Sequence, residues 1–179
     1  MRRLVGIVAV AALAACSAQR RGADRVWADR AVDERLMLAL EEARALQHRA
    51  DLHLAEAELA AATEDVTQVL KIAFPPSAPE GEEARLDAWA TLARLHLAGG
   101  DDAGALADIA AARKEATRDS FYRAHVETVA GEIGEARAKR LEAGDADGAR
   151  AIRRQALDDY ARSIAINKRV QAALIKDAP

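Results

Sequence analysis

The side chains that most often carry out chemistry are few in this chain, which contains one cysteine and four histidines. His48 and His53 are five residues apart, which places them about 140° apart around a helix, so they cannot share a metal ion on one helix face. His96 and His125 are isolated in the sequence. Gly-x-Ser-x-Gly, His-Glu-x-x-His and a glycine-rich phosphate loop are all missing. We therefore expect no enzyme activity, no metal site and no cofactor.

Asp145-Ala146-Asp147-Gly148 has the spacing found in the middle of a calcium-binding loop. When Gly148 is placed at the invariant glycine of such a loop, Ala143 occupies the first ligand position and Arg154 the bidentate glutamate position. Neither residue binds calcium. The segment is therefore predicted to connect two helices, with Asp147 capping the second as Asp102 caps an earlier one. The glycine pair of Gly131-Glu132-Ile133-Gly134 predicts a close helix–helix contact rather than a site.

The N-terminus has the organisation of an export signal. Met1-Arg2-Arg3 is positively charged, and the twelve apolar or small residues from Leu4 to Ala15 are too few to span a bilayer, which takes about 20. The run ends in Leu13-Ala14-Ala15-Cys16, which resembles the lipobox of bacterial lipoproteins. An ordinary secretory signal with a chance cysteine is the alternative.

The lipobox resemblance implies cleavage after residue 15 and acylation of Cys16, which two or more acyl chains would hold stably in a membrane. The following residue is Ser17 rather than aspartate. By the sorting rule of enteric bacteria, a serine there implies the outer membrane, facing the periplasm. Residues 16–23 are polar and basic, and are predicted to be a tether.

The composition is that of a helical protein. Hydrophobic residues make up 51% of the chain but aromatic residues only 3%, so the core must consist mainly of Ala, Leu, Val and Ile. The formal net charge is −3. No basic stripe or patch is present, which argues against a nucleic-acid-binding protein.

Residues 24–74 contain neither glycine nor proline, and their apolar residues recur at the three- and four-residue steps of a helix face. A second apolar row at every seventh residue contains Leu38, Ala45, Leu52, Leu59 and Val66. One long helix or a helical hairpin both fit, and the absence of glycine favours a nearly continuous helix with a kink near Thr63. Residues 75–82 contain three of the four prolines and are predicted to be a linker.

Residues 83–179 are predicted to form four helices at 83–98, 103–117, 120–143 and 148–176, separated by glycine-containing turns. Leu97-Ala98-Gly99-Gly100-Asp101 is repeated as Leu141-Glu142-Ala143-Gly144-Asp145 at an offset of 44 residues, and the segment from Ala105 recurs from Ala156 at an offset of 51. The two offsets differ by seven residues, which is two helical turns, so the same face stays buried.

This pattern is similar to tetratricopeptide repeats, which implies an all-α stack of helical hairpins, an α-solenoid fragment. A generic stack of helical hairpins is the alternative. The family has a large residue, a leucine, a small residue and an aromatic residue along its first helix, where this chain has a match at all but the last, which is His96. Along the second helix the family has alanine, an aromatic residue and alanine, and Ile109 replaces the aromatic residue. The repeat-core residues implied are Trp89, Leu92, Ala93, Ala105, Ile109, Ala112, Ala156 and Tyr160.

The two resemblances together suggest a lipid-anchored periplasmic adaptor that binds a protein partner in cell-envelope assembly or secretion. Its groove is predicted to contain Arg94, His96, Lys139 and Arg140, on the first helices of the hairpins. The alternative is a structural lipoprotein that forms homo-oligomers, with residues 24–74 as a coiled-coil spacer.

Overall fold

The computed structural model describes residues 33–76 and 78–176, in which every regular element is an α-helix. The predicted all-α class is confirmed. The helices are α1 at 33–55, α2 at Leu59–Val69, α3 at Pro79–Ala98, α4 at Asp102–Glu115, α5 at Phe121–Leu141 and α6 at Ala146–Lys176. They pack as a stack of three hairpins, α1–α2, α3–α4 and α5–α6. Among these helices, none combines the length and hydropathy that crossing a membrane requires.

The signal peptide (1–15), Cys16 and the tether (16–23) are predictions that lie outside the described residues. The four predicted helices of residues 83–179 are present, with ends within four residues of the expected ones. The largest difference is at α3, which begins inside the predicted linker 75–82 because Pro79 occupies its first turn. Proline suits that position because its fixed φ is helical. The N–H group that proline lacks would have had no partner within the helix there.

The N-terminal segment is a hairpin rather than the nearly continuous helix that the absence of glycine favoured. Residues 56–58 separate α1 from α2, and Ala57 adopts a left-handed φ of 60°. The Glu58 amide bonds the His53 carbonyl at 2.8 Å and the Ala57 amide bonds that of Leu54 at 3.1 Å, the pattern that usually requires glycine. Alanine adopts this conformation at a cost of roughly 1–2 kcal/mol. Thr63, where a kink was expected, lies within α2, and the chain reverses at residues 56–58 instead.

The turns before α4 and α6 repeat one capping interaction. Asp101 and Asp145 each accept a hydrogen bond from the amide of the glycine three residues later, at 2.8 Å in both cases. These side chains satisfy N–H groups that a first helical turn leaves free. The predicted caps were wrong. Asp102 lies one residue after the observed cap Asp101, Asp147 lies two residues after the observed cap Asp145, and both predicted residues lie inside the helices.

The central helix, α3, is buried on two sides. On one side Leu86, Ala90 and Ala93 pack against α4 and α5. On the other side Ala88, Leu92 and Leu95 pack against α1 and α2. The partly buried Trp89 ring contacts both clusters. The two clusters therefore share α3 rather than forming separate cores.

The predicted repeat-core residues lie in the interior. Trp89 and Tyr160 are partly buried, and the other six have at most 3% of their surface exposed. The sequence comparison missed an earlier copy of the pattern in α1–α2. Ala50, Ala62, Val66 and Val69 are buried and lie 43 residues before Ala93, Ala105, Ile109 and Ala112.

The glycines of α5 allow α6 to approach closely, as predicted. A Cβ atom added at Gly131 would lie 2.7 Å from carbons of the Tyr160 ring. One added at Gly134 would lie 2.9 Å from the Cβ of Ala156. Both distances are shorter than van der Waals contact, so the α5–α6 packing depends on the missing side chains.

We expect Trp89→Ala to lower the free energy of unfolding by about 3–5 kcal/mol, because it empties space in both clusters. Trp89→Phe keeps a ring there but loses the bond from Trp89 Nε1 to Glu115 Oε2 (2.9 Å). That loss should cost about 1 kcal/mol. Urea denaturation followed by circular dichroism measures both values, and a change below about 0.5 kcal/mol for Trp89→Ala would contradict the shared core.

Candidate partner-binding face

Arg94 of α3 is held in place by α5. Its Nε and Nη2 atoms donate to the two carboxylate oxygens of Glu132, at 2.9 and 3.0 Å. Its Nη1 atom lies 3.1 Å from Nε2 of His125. A two-point arginine–carboxylate pair has a fixed geometry, so the guanidinium is oriented before any partner arrives. The side chain remains 42% exposed and is therefore accessible to a partner.

Aromatic rings lie beside this pair at the start of α5. The Phe121 ring is stacked on His125, with 6.2 Å between ring centroids and an angle of 5° between the planes. It meets the Tyr122 ring edge to face at 5.5 Å. Phe121 is 62% exposed, although aromatic residues are scarce in this chain. Exposed aromatic rings next to an arginine are typical of side chains that anchor protein partners.

The electrostatics keep both polar rings uncharged near neutral pH. Burial, together with the Arg94 guanidinium, lowers the pKa of His125. Burial, together with the carboxylates of Asp87 and Glu83, raises the pKa of Tyr122. His125 is therefore a neutral imidazole and Tyr122 a neutral phenol, and each offers hydrogen bonds without a net charge.

The neighbouring helix α1 extends the surface. Nε2 of Gln47 donates to Oδ2 of Asp87 at 2.9 Å, which links α1 to α3. The first helices of the three hairpins are thus connected by polar contacts. We call this surface the first-helix face, and its residues are Gln47, Asp87, Arg94, Phe121, Tyr122, His125 and Glu132.

The other three predicted groove residues lie elsewhere. His96 pairs with Asp108 across the α3–α4 hairpin, with 2.6 Å between Nδ1 and Oδ2. Arg140 forms an ion pair with Asp102 at the start of α4. Lys139 lines a cavity of ≈ 430 Å³ between α5 and α6. Of the four residues, only Arg94 belongs to the first-helix face, and the four do not form one groove.

A second polar cluster joins α4, α5 and α6, and the sequence analysis did not find it. Arg113 donates to Glu127 at 3.1 and 2.6 Å and to Asp159 at 2.6 Å. Arg162 also bonds both carboxylates. Burial raises the pKa of Glu127, but the bonds from the two arginines outweigh it, and the net shift is downward. The two arginines and the two carboxylates neutralise one another, so this cluster connects the helices and is not a ligand-binding site.

The buried carboxylates follow the repeat. Asp65, Asp108 and Asp159 are 5–7% exposed and lie on the second helix of successive hairpins. Asp65 precedes Asp108 by 43 residues, and Asp159 follows it by 51, the same offsets that relate the buried apolar residues. The 51-residue offset is the feature of the sequence from which Asp159 could have been predicted as a buried carboxylate. In residues 33–76 and 78–176, no three His, Cys, Asp or Glu side chains are grouped so as to hold a metal ion.

Comparison with known proteins finds no family model, no curated protein and no solved structure that matches the chain. The function is therefore inferred from the residues and their contacts.

We expect His125 to titrate below its ordinary value of 6.5, because burial and Arg94 both disfavour the imidazolium. Arg94→Gln should raise the midpoint, since it removes the cation and leaves Glu132 beside the ring. Arg140→Gln is the matched control and should not change it, because Arg140 pairs with Asp102. Imidazole chemical shifts followed by NMR measure the midpoints, and a wild-type midpoint above 6.5 would contradict the described environment.

Proposed function

We propose that this chain is a lipid-anchored adaptor of the bacterial cell envelope that binds a protein partner through the first-helix face. The observation that carries the proposal is Phe121, a ring 62% exposed and stacked on His125, which in turn contacts the oriented guanidinium of Arg94. Aromatic and arginine side chains contribute most of the binding energy at protein interfaces. A ring held by stacking on His125 loses little conformational freedom when a partner covers it.

The shape of the stack supports the same role. Hairpins placed side by side present their first helices as one extended surface, which suits a peptide segment or a helix of a partner. On the first-helix face, Gln47 and Arg94 already bond Asp87 and Glu132, respectively. These contacts preorganise the surface, so binding costs less side-chain entropy. The resemblance to tetratricopeptide repeats supports a binding role, because such repeats position partners rather than react with them.

The known tetratricopeptide clamp for a C-terminal carboxylate is incomplete here. Ala90 and Arg94 occupy its corresponding positions near Trp89. Ala90 is fully buried, and the Arg94 charge is neutralised by Glu132. The partner is therefore recognised through ring contacts and hydrogen bonds rather than through a free carboxylate.

The lipobox resemblance of Leu13-Ala14-Ala15-Cys16 supports the anchor, and Ser17 supports placement in the outer membrane, facing the periplasm. The face would then act on partners close to that membrane. The two resemblances imply that the adaptor serves envelope assembly or secretion.

Cys16→Ala should abolish incorporation of labelled palmitate and leave the signal segment uncleaved, because the lipobox peptidase acts before an acylated cysteine. Metabolic labelling and gel mobility measure the two effects. A Cys16→Ala chain that still takes up palmitate and matures normally would refute the anchor.

Phe121→Ser should reduce recovery of the partner after crosslinking in intact cells by about tenfold, the equivalent of about 1.4 kcal/mol. Leu157→Ser is the matched control, because Leu157 is equally exposed (66%) but lies on α6, away from the first-helix face. Affinity isolation and mass spectrometry identify and quantify the partner. Equal recovery with the two variants would contradict the assignment of this face.

A further inference from the structure

The outer side of α1 carries an apolar row that no other described element covers. Leu38 is 73% exposed and Leu52 is 58% exposed, with the exposed Ala45 midway between them. Met37, beside Leu38, is 59% exposed. The opposite side of the same helix is buried in the stack through Ala39, Ala43 and Ala50. α1 is therefore apolar on two sides, although only one of them packs within the chain.

The row has the geometry of a helix–helix contact. Its three residues are spaced by seven, two helical turns or about 10 Å, and a seven-residue row drifts only about 20° around the helix. The leucines would form the two ends of the contact and Ala45 its centre. A small residue at the centre lets the axes of two helices approach closely.

The charges beside the row identify the second helix. Glu41 and Glu42 precede Ala45, whereas His48 and Arg49 follow it, and all four are exposed. Within the chain Glu41 accepts a hydrogen bond from Arg44 and Arg49 donates to Asp65, but the Arg49 side chain stays 58% exposed. If a second copy of α1 crosses antiparallel at Ala45, Glu42 lies opposite Arg49 and Glu41 opposite His48, because each of these pairs occupies one side of the row. A parallel pair would instead place Glu41 opposite Glu42, which is repulsive, and would leave both carboxylates without a basic side chain opposite them. The row is thus self-complementary in one orientation only.

We propose that two copies of this chain pair antiparallel through the outer side of α1, with Ala45 at the two-fold axis. Leu38 of each copy packs against Leu52 of the other. A two-fold contact of this kind closes on itself and gives a dimer rather than a fibre.

The pairing uses α1 alone, because the turn at Ala57 ends that helix, and it differs from a continuous coiled coil over residues 24–74. It also leaves the first-helix face open. Gln47 lies about 160° around the helix from Ala45 and contacts α3. Dimerisation therefore goes beyond the adaptor role and does not depend on it, and each copy keeps its own partner-binding surface.

The test is disulfide crosslinking of the full-length chain in intact cells. Ala45→Cys should form a disulfide with its own copy on mild oxidation and migrate as a dimer on a non-reducing gel. The matched control is Ala107→Cys, on the exposed side of α4. We expect at least ten times more dimer from Ala45→Cys than from Ala107→Cys or from the wild type, whose only cysteine is Cys16. Equal amounts would overturn the pairing.

A second pair of variants reports the orientation. Leu38→Cys and Leu52→Cys, carried on differently tagged chains in one cell, should crosslink to each other. Either variant expressed alone should give no more dimer than Ala107→Cys. A disulfide between two copies of Leu38→Cys would show a parallel pair and overturn the antiparallel arrangement. Both leucines are exposed, so neither substitution removes core packing.

Discussion

The fold depends on α3, a helix that must bury two sides at once. Its leucines and alanines point alternately into two clusters, and Trp89 contacts both of them. A helix with this pattern is stable only when it is covered on both sides, so α1–α2 and α4–α5 must pack around it. The many alanines let the helices approach closely, since a chain with 3% aromatic residues has few large side chains to separate them.

Buried carboxylates then link the helices: Asp65 and Asp108 pair within their own hairpins, and Asp159 also pairs with α4 of the neighbouring hairpin. Each second helix carries one at the same repeat position, but the partner differs: Arg49 for Asp65, His96 for Asp108, and two arginines for Asp159. The bond from Arg49 lowers the pKa of Asp65, so its contribution to stability is present above the unfolded pKa and is lost in acid. Burial raises the pKa of Asp108 despite His96, so the pH dependence is reversed. The contribution of Asp108 to stability is present below the unfolded pKa and is lost as the pH rises through the folded pKa.

Sequence reasoning predicted the helices after residue 79 because glycine, proline and aspartate mark their ends. It missed the α1–α2 turn because Ala57 adopts a conformation that alanine rarely takes. It grouped Arg94, His96, Lys139 and Arg140 in one groove, but their contacts lie on different parts of the stack. Charge type and helix position do not show which neighbour a long side chain meets, and Arg140 meets α4. The cluster at Phe121 was not predicted, because the spacing of Phe121 and His125 does not show that Arg94 of α3 lies against His125.

The central claim is that α3 is the shared interior helix of the stack, and hydrogen–deuterium exchange of the intact protein tests it directly. Amides of α3 should be the slowest to exchange, because opening them requires separation from both clusters. Amides near Lys176, at the exposed end of α6, should exchange fastest among the helices. If peptides from α3 exchange as fast as those from the end of α6, then α3 is not the helix on which the stack depends.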